Sequence, residues 1–219
     1  RQAPHGSLFF AGSQTFGRGR FNRRWESGSG GLYVSIVLRP GNVQPISLIP
    51  HLVSIATAEV LNENTGCNVA IRWPNDLYSD GKKIAGVLLE GSFHGSAPEL
   101  VVAGIGVNLN QQVTDFPPSL QSKVGSLRDY GLDLRDTAVQ IICRIEAWWN
   151  SLERERILNR WSELSEGEFG YSIRVDTHDG TSFNAITNGL AGDGGLNVEI
   201  EGGEKRVLYA EDVLYLREV

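Results

Sequence analysis

Gly17-Arg18-Gly19-Arg20-Phe21-Asn22-Arg23-Arg24-Trp25 places four arginines in nine residues, with no acidic residue among them, in a chain of 219 residues and net charge −6. The planar fork of arginine donates two parallel hydrogen bonds to a carboxylate or phosphate, which a lysine cannot do. Glycines at 17 and 19 let the backbone approach a ligand closely. Four like charges repel one another, so the loop is expected to be mobile when free and to order around an anion. Phe21 and Trp25 would also suit stacking on bases. Basic residues elsewhere are scattered and the total charge is negative, so a small phosphorylated ligand fits better than a polyanion.

A second cluster runs from Arg72 to Glu90. An apolar strand delivers Arg72, Pro74 turns the backbone, and Asn75 and Asp76 sit at the turn. A hairpin through Asp80-Gly81 brings Lys82 and Lys83 back towards them. An Asp–Lys pair by itself is an ordinary surface ion pair. Bracketing by strands, with Gly86 permitting close backbone approach, favours a site. The third stretch is Val101 to Asn110, a β run interrupted by Gly104 and Gly106 and followed by Asn108. Glycine inside a strand marks a bulge or the passage of a ligand against the backbone. No P-loop and no Rossmann fingerprint occurs, so a nucleotide must be held by another device.

These residues need elements to position them. Leu8 to Gly12 and Leu32 to Leu38 read as strands, the second ended by Arg39-Pro40-Gly41. Ile49, Leu52, Val53, Ala56 and Val60 fall at helical spacing between Pro45 and Asn64, with Gly66 as the stop. Val69 to Trp73, Ile84 to Glu90 and Leu100 to Leu109 read as three more strands. From Asp136 a helical stripe of Ala138, Ile141, Ile142, Ile145, Trp148, Trp149 and Leu152 continues with Leu158, Trp161 and Leu164, and these tryptophans read as core. Glu166-Gly167-Glu168 marks a boundary, and Ile173 to Val219 alternates short β runs with turns, the pattern of a small β-barrel. Two domains are therefore expected, 1–166 and 167–219.

Composition narrows the class further. No apolar run approaches the ~18 residues that span a bilayer, so no membrane association is expected. Cys67 and Cys143 lie far apart without metal-ligand spacing and read as buried reduced thiols in a cytoplasmic protein. Methionine is absent, even at position 1, so a segment upstream of Arg1 is expected.

Together the three stretches resemble the biotin protein ligases. The family's GRGRxGRxW loop is matched by Gly17 to Trp25, its KWPNDL…KxAGhLhE block by Arg72 to Glu90, and its GxGhNhN strand by Gly104 to Asn110. The resemblance implies an α+β fold: a mixed β-sheet with flanking helices, like class II aminoacyl-tRNA synthetases, plus a C-terminal SH3-like β-barrel. It implies a ligase without an N-terminal DNA-binding domain. Such an enzyme adenylates biotin with ATP and Mg²⁺, then transfers it to a lysine of a biotin carboxyl carrier protein of acetyl-CoA carboxylase. By position, the resemblance assigns Lys83, Arg20 and Asp76 to catalysis, with Asp76 either taking the proton of the incoming lysine or orienting Lys83. It assigns biotin to Gln14, Gly17, Arg18, Arg20, Trp25, Lys83, Gly86, Gly104 and Gly106. ATP and the adenylate fall to Arg20, Arg23, Trp25, Asn75, Lys83 and Asn108. It names no metal ligands. Trp25 is expected to pack over the ligand as the loop orders.

Two departures stand out. Asn22 occupies a position that is usually glycine in the family, and asparagine tolerates left-handed backbone next best. The Ser/Thr-Asn motif that helps hold biotin has no match before residue 17. The expected partners are biotin, ATP and the carrier domain, with a homodimer possible and DNA not expected. The alternatives are a lipoate ligase or octanoyl transferase, or a non-catalytic domain that binds nucleic acid or a phosphorylated ligand through the loop.

Overall fold

Six β-type runs joined by tight turns pair into one sheet in the computed structural model, which describes residues 3–41, 45–94, 97–165 and 169–218. The strands are β1 (Leu8–Ala11), β2 (Leu32–Leu38), β3 (Ala70–Arg72), β4 (Asp76–Ser79), β5 (Lys82–His94) and β6 (Ala97–Val107), in the spatial order β1-β2-β6-β5-β4-β3. Every pairing between them is antiparallel. The parallel component expected of a mixed sheet is confined, among the described residues, to one bridge between Lys83 and Val124. The β4–β5 hairpin turns at Asp80 (φ 50°) and Gly81 (φ 69°). Two successive positive φ angles give a type I′ turn, whose twist matches that of the flanking strands. Strand β4 was not anticipated; Asp76 opens it rather than sitting in a turn.

One face of the sheet is covered by α1 (Ile49–Thr65), whose Leu52, Ile55 and Ala56 are fully buried. The helix ends where Gly66 turns left-handed (φ 67°) and donates its N–H to the Asn62 carbonyl at 2.8 Å. A short α2 (Pro118–Gln121) precedes α3 (Leu134–Asn150), which is capped by Asp133 accepting from the N–H groups of Arg135 and Asp136. The stripe expected from the sequence turns Ile141, Ile145 and Trp148 inward, and α4 (Arg154–Leu164) buries Trp161 completely. Trp149 stays half-buried, its ring 5.4 Å from that of His5. The thiols differ from expectation. Cys143 is exposed on the outer face of α3, and Cys67 is half-buried with its Sγ 2.8 Å from Thr65 Oγ1. Both are free; Cys67 packs against the edge of the core, and Cys143 does not.

Beyond α4, five strands form a second antiparallel sheet: β7 (Ser172–Thr177), β8 (Ser182–Leu190), β9 (Leu196–Ile200), β10 (Lys205–Leu208) and β11 (Val213–Glu218), in the order β10-β9-β8-β7-β11. Ile173, Val175, Ala185, Val198, Leu208 and Val213 form its interior, as a small SH3-like unit requires. These residues belong to one apolar cluster with the first sheet. The division expected at Glu166-Gly167-Glu168 lies outside the described residues. Polar ties join the two sheets: Trp73 Nε1 donates to the Gly194 carbonyl at 3.1 Å, and Ser47 Oγ to the Asp193 carbonyl at 2.5 Å. No helix of the described residues is long and apolar enough to cross a membrane.

Candidate active site

Strand register assembles the site before any loop is considered. Tyr33 of β2 faces Gly106 of β6, Gly106 faces Gly86 of β5, and Gly86 faces Asp76 of β4, which gives one row across four strands. The neighbouring row runs Ser35, Gly104, Leu88. Register is unbroken through Gly104 and Gly106, and the β5–β6 shift lies between Ser92 and Phe93. The glycines therefore mark a surface kept open, not a bulge. A bulge does occur in β5, where register shifts between Leu77 and Tyr78, whose partners are Ala85 and Lys83. Ile84 is the extra residue and is buried beside the equally buried Ala85. Alternation from Glu90 through Leu88 and Gly86 would otherwise turn Lys83 to the opposite face; the additional residue brings it into phase with them. Its Nζ then lies 2.6 Å from Asp76 Oδ2.

The basic loop closes over this floor. Trp25 N–H donates to the Gly17 carbonyl at 2.9 Å, and Ser27 Oγ to Gln14 Oε1 at 2.7 Å, so both ends of the loop are pinned. The Trp25 indole lies on the glycines. A Cβ at Gly106 would stand 2.6 Å from Trp25 Nε1, and one at Gly86 3.3 Å from the ring. Trp25 Nε1 is buried without a hydrogen-bond partner among the described residues. The Lys83 ammonium sits 5.3 Å from the ring centroid. The indole was expected to cover a bound ligand; here it rests on the floor itself, so a ligand seated there must displace it.

Loop arginines are tied down in a way the sequence did not indicate. Arg18 pairs with Glu90 at 2.9 Å. Arg20 donates to the Ala210 carbonyl and, at 3.2 Å, to that of Val213. Arg23 donates to the Leu214 carbonyl and lies 4.2 Å from the centroid of Tyr215. Phe21 meets His178 edge-on at 4.3 Å. The expected free and mobile loop is thus docked on the second sheet, because carbonyl dipoles there offset charges that would otherwise repel. The left-handed backbone expected at Asn22 is present (φ 56°), and Phe21 shares it (φ 56°). Burial draws the Arg20 guanidinium below its usual range, opposed first by the charge of Asp76 and then by that of Glu211.

The resulting cleft has a volume of about 350 Å³. Gln14, Arg18, Arg20, Arg23, Trp25, Asn75, Asp76, Lys83, Gly86, Gly104 and Gly106 all line it. Gly17 and Asn108 do not. Gly17 packs against Ser27 and the Trp25 carbonyl, which leave no room for a Cβ. Asn108 is buried beneath the floor, where Nδ2 donates to the Gly125 carbonyl at 3.0 Å while Oδ1 has no partner among the described residues. Asn75 donates through Nδ2 to the Val87 carbonyl. Residues that the sequence reading passed over also line the cleft, notably Phe16, Tyr33, Ser35 and Glu90. The odd-numbered phase of β2 opposite the glycines would have pointed to Tyr33 and Ser35, had the pairing been known. Burial pushes the Tyr33 hydroxyl up to about 12; it donates to the Gly28 carbonyl at 2.8 Å and serves as structure, not as a proton donor near neutrality. Five cationic side chains (Arg18, Arg20, Arg23, Arg24, Lys83) face two carboxylates (Asp76, Glu90). That balance suits a small polyvalent anion.

Residues 1–108 match the biotin/lipoate A/B protein ligase family. The bifunctional ligase/repressor BirA of Bacillus subtilis is 32% identical over 220 residues, which cover 96% of this chain and 66% of that protein. The chain belongs to the biotin/lipoate A/B protein ligase family. The biotin–[acetyl-CoA-carboxylase] ligase of Mycobacterium tuberculosis is 28% identical across 97% of this chain and 80% of its own length. Among solved structures, the biotin protein ligase from Aquifex aeolicus in complex with biotin and ATP superposes with a TM-score of 0.84 at 24% identity, covering 100% of this chain and 92% of that one. The fold is therefore the family's α+β fold. The chain spans about two thirds of the length of the Bacillus relatives it matches.

Proposed function

We propose that this chain is an ATP-dependent biotin–protein ligase that forms biotinoyl-5′-AMP and transfers biotin to a lysine of a biotin carboxyl carrier domain. The observation that carries the reading is Lys83, phased by the β5 bulge onto the glycine floor, beside Asp76 and beneath the arginine loop. The ligase activity of the named relatives and the biotin and ATP bound in the Aquifex aeolicus structure support it. In the first step a biotin carboxylate oxygen attacks the α-phosphate of ATP, forming an acyl–O–P bond and releasing pyrophosphate. Two anions must meet, so fixed positive charge at their junction lowers the barrier. Lys83 and Arg20 supply it, while Arg18 and Arg23 lie further along the same cleft. In the second step the neutral lysine amine attacks the acyl carbon, the C–O bond breaks with its electron pair leaving on AMP, and the attacking nitrogen gives up one of its two protons and keeps the other as the amide N–H. Asp76 is within reach to take that proton or to hold Lys83 in place.

Among the described residues no group of three or more His, Cys, Asp or Glu side chains is placed to cage a metal ion. Mg²⁺ enters this reading with ATP, where it would offset the charge of the phosphates. Residues 1–166 make the cleft and residues 167–219 dock its loop, which is how we read the two-domain division. An exposed free Cys143 agrees with a reducing, cytoplasmic setting. The test is ATP–pyrophosphate exchange on the purified chain. Exchange that depends on biotin and not on lipoate is expected; dependence on lipoate alone, or salt-sensitive RNA binding without exchange, would overturn the reading.

A further inference from the structure

Behind the cleft lies a second cavity of about 270 Å³, between the first sheet and the second. It shares Arg20, Asn75, Val87 and Leu88 with the cleft, so the two spaces adjoin at these residues. Its inner wall is His51, Trp73 and Pro74, and its rim is Asp193, Tyr209 and Glu211 of the second sheet. Tyr209 and Glu211 are exposed, which makes this the outer end. Such a volume takes several waters or one long unbranched side chain.

The charge here is the reverse of that in the cleft. Two carboxylates, Asp193 and Glu211, stand against the single guanidinium of Arg20. Arg20 is itself engaged by the Ala210 and Val213 carbonyls. Asp193 Oδ2 accepts from Tyr209 at 2.9 Å, which fixes the rim. His51 is 4% exposed, and its Nδ1 lies 3.2 Å from the Ser47 carbonyl. Nδ1 therefore carries the proton as donor and Nε2 keeps a lone pair. That Nε2 is buried with no hydrogen-bond partner among the described residues. His51 is one of the residues that line the cavity, and an unsatisfied acceptor on its ring suits an occupant that donates. Pyrophosphate, an anion without donors, would meet two carboxylates and a lone pair. An ammonium on an apolar stem would meet acceptors at the rim and inside, with Trp73, Pro74 and Leu88 along its carbons.

We propose that this cavity is the approach of the acceptor lysine to the adenylate, with Glu211 and Asp193 drawing the ammonium in and Asn75 and Arg20 marking where it meets the cleft. The inference rests on the ligase reading above and adds to it the route of the second substrate. Glu211 and Asp193 act as positioning residues, since the reacting atoms lie beyond them.

The two half-reactions separate the inference from the reading beneath it. Glu211→Gln, Asp193→Asn and the double variant are compared with the parent chain, and Glu211→Lys extends the series in charge. Biotin-dependent ATP–pyrophosphate exchange is expected to stay unchanged. Transfer to an isolated biotin carboxyl carrier domain is expected to weaken about tenfold in the double variant, through KM for the carrier, and further in Glu211→Lys. Discharge of preformed biotinoyl-AMP by hydroxylamine, a small uncharged nucleophile, is expected to proceed at the parent rate. Intact exchange with unaltered transfer overturns the inference and leaves the ligase reading standing. Equal slowing by carrier and hydroxylamine also overturns it, as does tighter pyrophosphate binding in the neutralised variants. A parent chain without biotin-dependent exchange sinks the reading before any variant is made.

Discussion

Lys83 and Asp76 form a pair whose meaning depends on its setting. Each side chain is 28% exposed, and a pair so open contributes at most about 1 kcal/mol to stability. Replacing Lys83 by alanine should therefore leave the melting temperature within about 4 °C of the parent. Removing one preorganised charge from the reacting junction costs on the order of 10²–10³ in rate. Lys83→Ala is thus expected to lose adenylate formation in pyrophosphate exchange while circular dichroism stays unchanged; exchange at the parent rate would remove Lys83 from its assigned role. Arg20 differs because it has two tasks, lining the cleft and holding the loop to Ala210 and Val213. Arg20→Gly removes both and frees the backbone as well. The expected outcome is biotinoyl-AMP escaping into the filtrate, with Arg20→Lys intermediate because it keeps the charge and loses the fork. Equal retention of adenylate by all three proteins would rule this out. Residue types were legible from the sequence here: Arg20, Asp76 and Lys83 were assigned by motif and do converge. The partners of Arg20 were not, since they are backbone carbonyls 190 and 193 positions away that carry no sequence mark.

At the scale of elements, most of the pattern was readable because it is periodic. The α1 stripe with its Gly66 stop and the inward tryptophans of α3 and α4 follow from helical spacing alone. Strand β4 escaped because four residues, two of them polar, carry no usable alternation. The β5 bulge escaped for a related reason: Ile84-Ala85 reads as a continuing apolar run, and only pairing with β4 shows one residue too many. What fastens the helices together was equally hidden. Glu59 of α1 accepts from Arg144 at 2.9 Å and Trp148 at 3.0 Å on α3, and from Arg160 at 2.8 Å on α4. Burial opposes its ionisation, yet the bonds from Trp148, Arg144 and Arg160 hold its carboxyl below the ordinary range. Glu59→Ala leaves two guanidinium groups short of a partner, although Arg144 keeps Glu63 and Arg160 keeps Glu163. Because both arginines stay partly solvated, we expect a loss of about 2 kcal/mol, at the low end for such networks. That corresponds to a melting temperature lower by about 4–8 °C for a chain of this size. Differential scanning calorimetry would check it, and an unchanged melting temperature would show that the network contributes nothing net.

The whole molecule depends on how the second sheet sits on the first, and His51 is at that junction. Gly194 lies against it at φ 88°, where a Cβ would come within 2.8 Å of the imidazole. Trp73 and Ser47 donate to the neighbouring carbonyls of Gly194 and Asp193. The sequence offered a small β unit and a catalytic body, but nothing in either stretch indicated that a buried histidine separates them. Burial drives the His51 imidazole down to about 4, only partly opposed by the Ser47 and Gly194 backbone and by the Asp193 charge. A histidine with a depressed folded value favours the folded state above its unfolded value of about 6.5. As pH falls from there towards 4, the unfolded chain binds a proton that the folded chain refuses, and stability is lost. Up to about 3 kcal/mol is at stake across that window at 1.36 kcal/mol per unit. The loss attributed to Glu59 begins lower, as pH falls past the ordinary carboxylate value of about 4.3 at which the unfolded chain takes up its proton. His51→Leu, which places an apolar side chain beside Leu48 and Trp161, removes the imidazole and the orphaned Nε2 together. Its urea midpoint should change far less between pH 7 and pH 5 than that of the parent. If parent and variant lose stability in parallel across that interval, the proton is taken up elsewhere and the junction is not what makes the fold sensitive to acid.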